Sequence, residues 1–149
     1  MNVLKGRRKA REYAFLFFYR FQLVKHDSVA AQGKEGISYL EKLRKDSVDT
    51  LGVVEDSQNS YVSEMISQYC NNKNNLEATI SRHLTNWKME RLNPIDLTAV
   101  FMAFVEIKYF SQPTPVAVAI NEYVELAKNY GNEQSGSFVN GILEKLANA

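Results

Sequence analysis

The stretch Thr114-Pro115-Val116-Ala117-Val118-Ala119-Ile120-Asn121-Glu122-Tyr123-Val124-Glu125-Leu126-Ala127-Lys128-Asn129-Tyr130-Gly131 reads as one complete helix with its start and stop signals in place. Thr114-Pro115 predicts the start, because a hydroxyl can cap the free N–H groups and proline has no N–H to lose in the first turn. Val116, Ala119, Ile120, Val124 and Ala127 recur at three- and four-residue spacing and are expected to face inward. Gly131 is expected to close the helix in the left-handed conformation that follows many helix ends. Glu125 and Lys128, three apart, are set to pair weakly on the outer side.

The same punctuation extends in both directions. Upstream, Asn93-Pro94 repeats the cap-plus-proline device, and Asp96 falls in the first turn, where the helix dipole favours an anion. That helix is expected to reach about Phe110, before Gln112-Pro113. Downstream, Ser135 or Ser137 is expected to cap a last helix whose Phe138, Val139, Ile142, Leu143 and Leu146 form the apolar side.

The N-terminal half is less sharply marked. A first helix is predicted from about Arg8 to Lys25, with Ala10, Ala14, Phe17, Phe18 and Phe21 on one face. Phe15, Leu16 and Tyr19 widen that face beyond what one neighbour could cover, so the helix is central or offers a surface to a partner. A helix over Ile37–Lys45 would turn Leu40 and Leu43 inward, and residues 46–60 are polar and loop-like. Val62, Met65, Ile66 and Tyr69 mark a third helix over 61–70. Leu76, Ile80 and Leu84 mark a fourth from about Asn75. No sustained period-two alternation occurs, so the fold class is all-α, with about seven helices.

Composition sets the outer limits. A chain of 149 residues with 45% apolar content, eight Phe and eight Tyr can bury a sizeable core in one domain. The single cysteine, Cys70, allows no intramolecular disulfide and fits a reducing cytoplasm. The apolar run Tyr13–Tyr19, bracketed by Glu12 and Arg20, is too short for a membrane span of ~20 residues. The net charge of +1 is unevenly spread. Residues 1–25 carry seven basic side chains against Glu12, a sum of +6 that leaves −5 for the rest. An anionic partner is expected at that basic end.

Lys5-Gly6-Arg7-Arg8-Lys9-Ala10-Arg11 concentrates this charge. On a helix, Arg7 and Arg11 lie one turn apart with Arg8 beside them, a cluster able to grip phosphates. A solvated chain end would have the same composition. Tyr19 is placed on the same helix to stack on an unpaired base, or to pack in the core. Signals for catalysis, metals or cofactors are poor. His26, His83 and Cys70 lack metal-ligand spacing, and Cys70 on an apolar face suits a buried position. Gly131 and Gly136 do not form a phosphate loop, and Glu122 with Glu125 reads as a solvated face. No enzymatic activity is expected.

Several of these stretches resemble the NusB family. Val118-Ala119-Ile120-Asn121-Glu122-Tyr123-Val124-Glu125-Leu126-Ala127-Lys128 is similar to its proline-started helix V-A-I-N-E-x-V-E-L-A-K. Phe138-Val139-Asn140-Gly141-Ile142-Leu143 resembles F-V-N-G-[VI]-L. Trp87, Arg91-Leu92, Ile95-Asp96 and Glu106 resemble the family's W-x3-R-L, I-D and Y-E-L stretches. Arg7–Ala14 resembles R-R-x-A-R-E-x-A. The resemblance implies two roughly perpendicular three-helix bundles within one domain over 1–149, about 1–72 and 73–149. It also implies an RNA-binding antitermination adaptor. Its expected partners are boxA-type single-stranded RNA, a NusE-type small-subunit ribosomal protein, other Nus factors and RNA polymerase.

Carried over by position, the RNA contacts are Arg7, Arg8 and Arg11, with Lys9 and Tyr19 nearby and Lys5 in the same cluster. Asp96 falls where the family often has an acid at the RNA and partner surface, and the loop before Phe138 lies near RNA. Gln134 stands in that loop where an acid is frequent, and Ser137 where a base is common. These departures concentrate the expected contacts on Arg7, Arg8 and Arg11. Leu16, where a polar residue is frequent, and Phe101, where an Arg is frequent, mark either an enlarged apolar interface or different packing. Two alternatives stay open. One is a homodimer held by the apolar excess on the first helix, masking the basic cluster. The other is the NusB-like domain of an RNA cytosine methyltransferase, whose catalytic domain this chain, ending at Ala149, is expected to lack.

Overall fold

The computed structural model describes residues 3–24, 32–46, 56–84 and 88–148. Among them are six α-helices, a 3-10 turn at Met89–Arg91 and no strand. The helices are α1 (Val3–Val24), α2 (Gly33–Asp46), α3 (Asp56–His83), α4 (Pro94–Lys108), α5 (Val116–Tyr130) and α6 (Ser135–Ala147). The chain divides into two compact units, Met1–Lys73 and Asn74–Ala149. No described helix is long and apolar enough to cross a membrane. His26, Trp87 and most of the expected loop at 46–60 lie outside the described residues.

In the first unit the expected face of α1 is the core face: Ala10, Ala14, Phe17, Phe18 and Phe21 are buried, and Phe15 with them. Tyr69 of α3 meets Phe18 and Phe21 edge-on, with ring centroids 5.3 and 6.5 Å away. Such contacts contribute ~0.5–1.5 kcal/mol each beyond area burial. Arg44 joins α2 to α3 by donating to Asn59 Oδ1 and, at 3.2 Å, to Ser63 Oγ, while Glu41 holds it at 2.8 Å. Leu40 is buried as expected, whereas Leu43 is only half-buried.

The predicted third and fourth helices are one helix of 28 residues. Asn71, Asn72, Asn74 and Asn75 suggest a break because asparagine side chains compete for backbone hydrogen bonds. Here Asn72 Nδ2 donates back to the Gln68 carbonyl at 2.8 Å, and Asn75 Nδ2 donates to the Tyr109 hydroxyl at 2.6 Å. Both amides are used without interrupting the helix.

In the second unit α4, α5 and α6 pack pairwise against one another. Every residue of α4 from Ile95 to Glu106 is buried, as befits a helix that is apolar all round. Phe101 is 3% exposed, so it packs in the core and adds no interface. Asn93 caps α4 as predicted, its Oδ1 accepting from Ile95 N at 2.9 Å with Pro94 in the first turn.

Thr114-Pro115 works differently from the matching sequence pattern. Pro115 occupies the cap position of α5 and no side chain caps it. Thr114 is buried and donates its hydroxyl to Glu106 Oε2, while Tyr123 donates to Glu106 Oε1 at 2.8 Å. That carboxylate, fully buried, ties α4, the connector and α5 together. Tyr123 also resets the inward face of α5, which consists of Ala119, Tyr123, Leu126 and Ala127. Val116, expected inside, is 41% exposed, and with Ile120 and Val124 it lines an open groove against Asn140 and Glu144 of α6. Glu125 and Lys128 pair at 3.6 Å on the exposed side, a contact worth little in water.

Gly131 is not left-handed: its φ is −99°. Glycine is required there for space, because a Cβ would clash with Ser135 Oγ and lie 2.7 Å from the Ala127 carbonyl oxygen. Gly131→Ala should therefore destabilise by ~1–3 kcal/mol through overpacking. A fall in Tm of ~2–4 °C per kcal/mol is expected in thermal denaturation. Neither serine caps α6 by its side chain, and the cap position belongs to Gln134. Ser135 Oγ instead accepts from Asn132 N at 3.0 Å, and Asn132 Oδ1 accepts from Gln134 N at 2.8 Å. The turn before α6 is thus built by Asn132.

Candidate nucleic-acid interface

The basic cluster lies at the start of α1, where helix geometry sorts its side chains. Arg11, Ala14, Phe15 and Phe18 follow i, i+3, i+4, i+7 spacing and form one buried stripe. Arg11, expected among the RNA contacts, is 2% exposed on that stripe. A guanidinium so placed presents little surface to a phosphate. Arg7, one turn earlier, is half-buried, with Cζ 5.8 Å from the centroid of the Tyr61 ring. Arg8 and Lys9 are exposed. Lys5 lies within α1, its side chain outside the described set. Tyr19 is half-buried about three turns further on, its ring neither sequestered nor fully presented.

Asp96, Gln134 and Ser137 belong to the second unit. Gln134 and Ser137 are exposed at the start of α6. Asp96 is 8% exposed in the first turn of α4, and its Oδ1 has no hydrogen-bond partner. Burial pushes its carboxyl above the usual range, while the hydrogen bond with Ser135 pulls the other way. Ser135 thereby links the start of α4 to the turn carrying Gln134.

The raised pKa of Asp96 makes a sign-definite prediction. Between its unfolded and folded pKa values the folded state holds the proton more tightly, so ionisation costs stability as pH rises through that window. Lowering the pH towards the unfolded value relieves the cost. Asp96→Asn should lose this part of the pH dependence, as read from urea unfolding between neutral and acid pH.

The profile of the NusB family matches residues 8–148. The chain belongs to the NusB family. A Listeria innocua relative, Transcription antitermination protein NusB, is 37% identical over 95 residues, covering 64% of this chain and 73% of the relative. The protein of the same name from Agathobacter rectalis is 36% identical over 141 residues, 95% of this chain and 98% of its own. A T. maritima NusB structure, 26% identical, gives a TM-score of 0.76 over 95% of this chain and 90% of that one. A crystal structure of antitermination factors NusB and NusE in complex with dsRNA is 22% identical, with a TM-score of 0.78 over 97% of each chain. At that identity the likeness speaks for the fold.

Within this NusB fold the all-α assignment made from periodicity stands. Among the described residues no three His, Cys, Asp or Glu side chains gather as a metal site. Cys70 is buried and its thiol is pushed up to about 12, chiefly by burial, with Lys73 opposing. Thiolate is the reactive form. Cys70 should therefore resist a disulfide reagent at pH 8 in the folded protein and react fully once the chain is unfolded. Fast labelling without denaturant would contradict this. Two residues escaped sequence reasoning. Tyr61 stands 54 positions from Arg7, and Ser135 was expected as a cap; neither contact leaves a trace in local spacing.

Proposed function

We propose that this NusB-family chain is an RNA-binding transcription antitermination adaptor. It takes boxA-type RNA together with a NusE-type ribosomal protein and joins other Nus factors on RNA polymerase in the cytoplasm. It acts by binding and carries out no catalysis. The observation that carries this proposal is the start of α1, where Arg8 and Lys9 are exposed beside a half-buried Arg7. Full-length relatives named Transcription antitermination protein NusB support it. Phosphate contacts from α1 supply affinity, and contacts to unpaired bases, with Tyr19 a candidate for stacking, supply specificity. Asp96, Gln134 and Ser137 are proposed as the contribution of the second unit, Gln134 and Ser137 from the surface and Asp96 from behind it through its hydrogen bond with Ser135.

The test is a fluorescence titration of labelled boxA RNA against a scrambled RNA of equal length and composition. Tighter binding to boxA supports the proposal, and equal affinity refutes it. Leu16 and Tyr19 are half-buried on α1 and Leu23 is 54% exposed, which keeps a homodimer as the second reading. Light scattering separates the two, since a monomer without RNA excludes the masked dimer.

A further inference from the structure

We infer that Tyr61 is a positioning residue for RNA binding, its ring holding the Arg7 guanidinium in place before the ligand arrives. This rests on the RNA-binding role proposed above. Tyr61 is 6% exposed, so its ring is fixed by the core of the first unit. Arg7 Cζ lies over it at 5.8 Å, within the range of a cation–π contact. Arginine suits the contact because its flat guanidinium can lie against a ring while its N–H donors point outward in its own plane. The contact itself engages none of those donors. An exposed arginine must lose rotamer freedom when it grips a phosphate, whereas one already held loses less. The two neighbours, Arg8 and Lys9, are exposed. Arg7 thus combines access to the surface with a guanidinium that lies over a buried ring.

The experiment uses the full chain with labelled boxA RNA and compares wild type, Y61F, Y61L, R7K, the double variant R7K/Y61L and R8A. Y61F keeps the ring and should bind within about twofold of wild type. Y61L and R7K should each weaken binding by about 3- to 10-fold, and together by no more than either alone. R7K keeps the charge and leaves the core untouched, so the test survives if Y61L folds poorly. Relaxation of the Arg7 Nε–H, measured without RNA, should show a restrained group in wild type and Y61F and a mobile one in Y61L.

Several results would overturn the inference. One is an Arg7 Nε–H as mobile in wild type as that of the exposed Arg20. Another is additive losses in R7K/Y61L. A third is undiminished binding by Y61L and R7K while R8A weakens it, which leaves RNA binding intact and removes the role of Tyr61. Absence of any boxA binding by wild type removes both together.

Discussion

Replacing Arg7, Arg8 and Lys9 together with alanine should weaken boxA binding by about two orders of magnitude and flatten its dependence on salt. Each phosphate contact on single-stranded RNA contributes ~0.7 to the slope of log K against log salt, so losing three should reduce the slope by about 2. Even ~1 kcal/mol per charge-assisted contact amounts to ~100-fold in affinity. Helicity should be unchanged, because Arg8 and Lys9 are exposed and alanine favours helix. Arg11→Ala should behave differently. Its side chain is 2% exposed, so the loss should appear in stability and leave the salt slope close to wild type. A slope that falls only with Arg11 would reverse this assignment.

Glu106→Ala should be the most destabilising single change in the second unit. The carboxylate accepts from Thr114 and Tyr123, and all three residues are at most 4% exposed. Alanine would take the carboxylate acceptor from two buried hydroxyls, each loss costing ~1–3 kcal/mol, and leave a cavity in addition. The total of ~3–5 kcal/mol should lower Tm by roughly 10 °C or more for a chain of this size. Glu106→Gln should cost less, since its amide oxygen still accepts from one hydroxyl. Equal stability of wild type and Glu106→Ala in urea denaturation would show that the triad does not hold α4 to α5.

These two expectations differ in how far the sequence alone supports them. The basic cluster, the helix starts at Pro94 and near Pro115, and the core faces of α1, α3 and α6 follow from spacing and capping, which act over a few residues. What escaped depends on partners distant in the chain. Arg11 carries the same charge as Arg8, and only the helix face on which each falls separates the buried one from the exposed one. Thr114 looked like a cap until Glu106, eight residues upstream, claimed its hydroxyl. Gly131 was expected from backbone conformation and is required by the proximity of Ser135. The boundary expected between Cys70 and Asn75 falls inside α3, where Asn72 and Asn75 make side-chain hydrogen bonds. Local rules fail where a polar side chain is satisfied from another element. In the basic cluster the same limit hid the burial of Arg11 and the ring of Tyr61 against Arg7.

The most direct test of the adaptor role is the affinity for boxA RNA with and without a saturating NusE-type ribosomal protein, at one fixed salt concentration. Cooperative tightening of boxA binding, absent with scrambled RNA, is the predicted result. Affinity for boxA that the ribosomal protein leaves unchanged would contradict the proposal that this chain joins RNA to a protein partner.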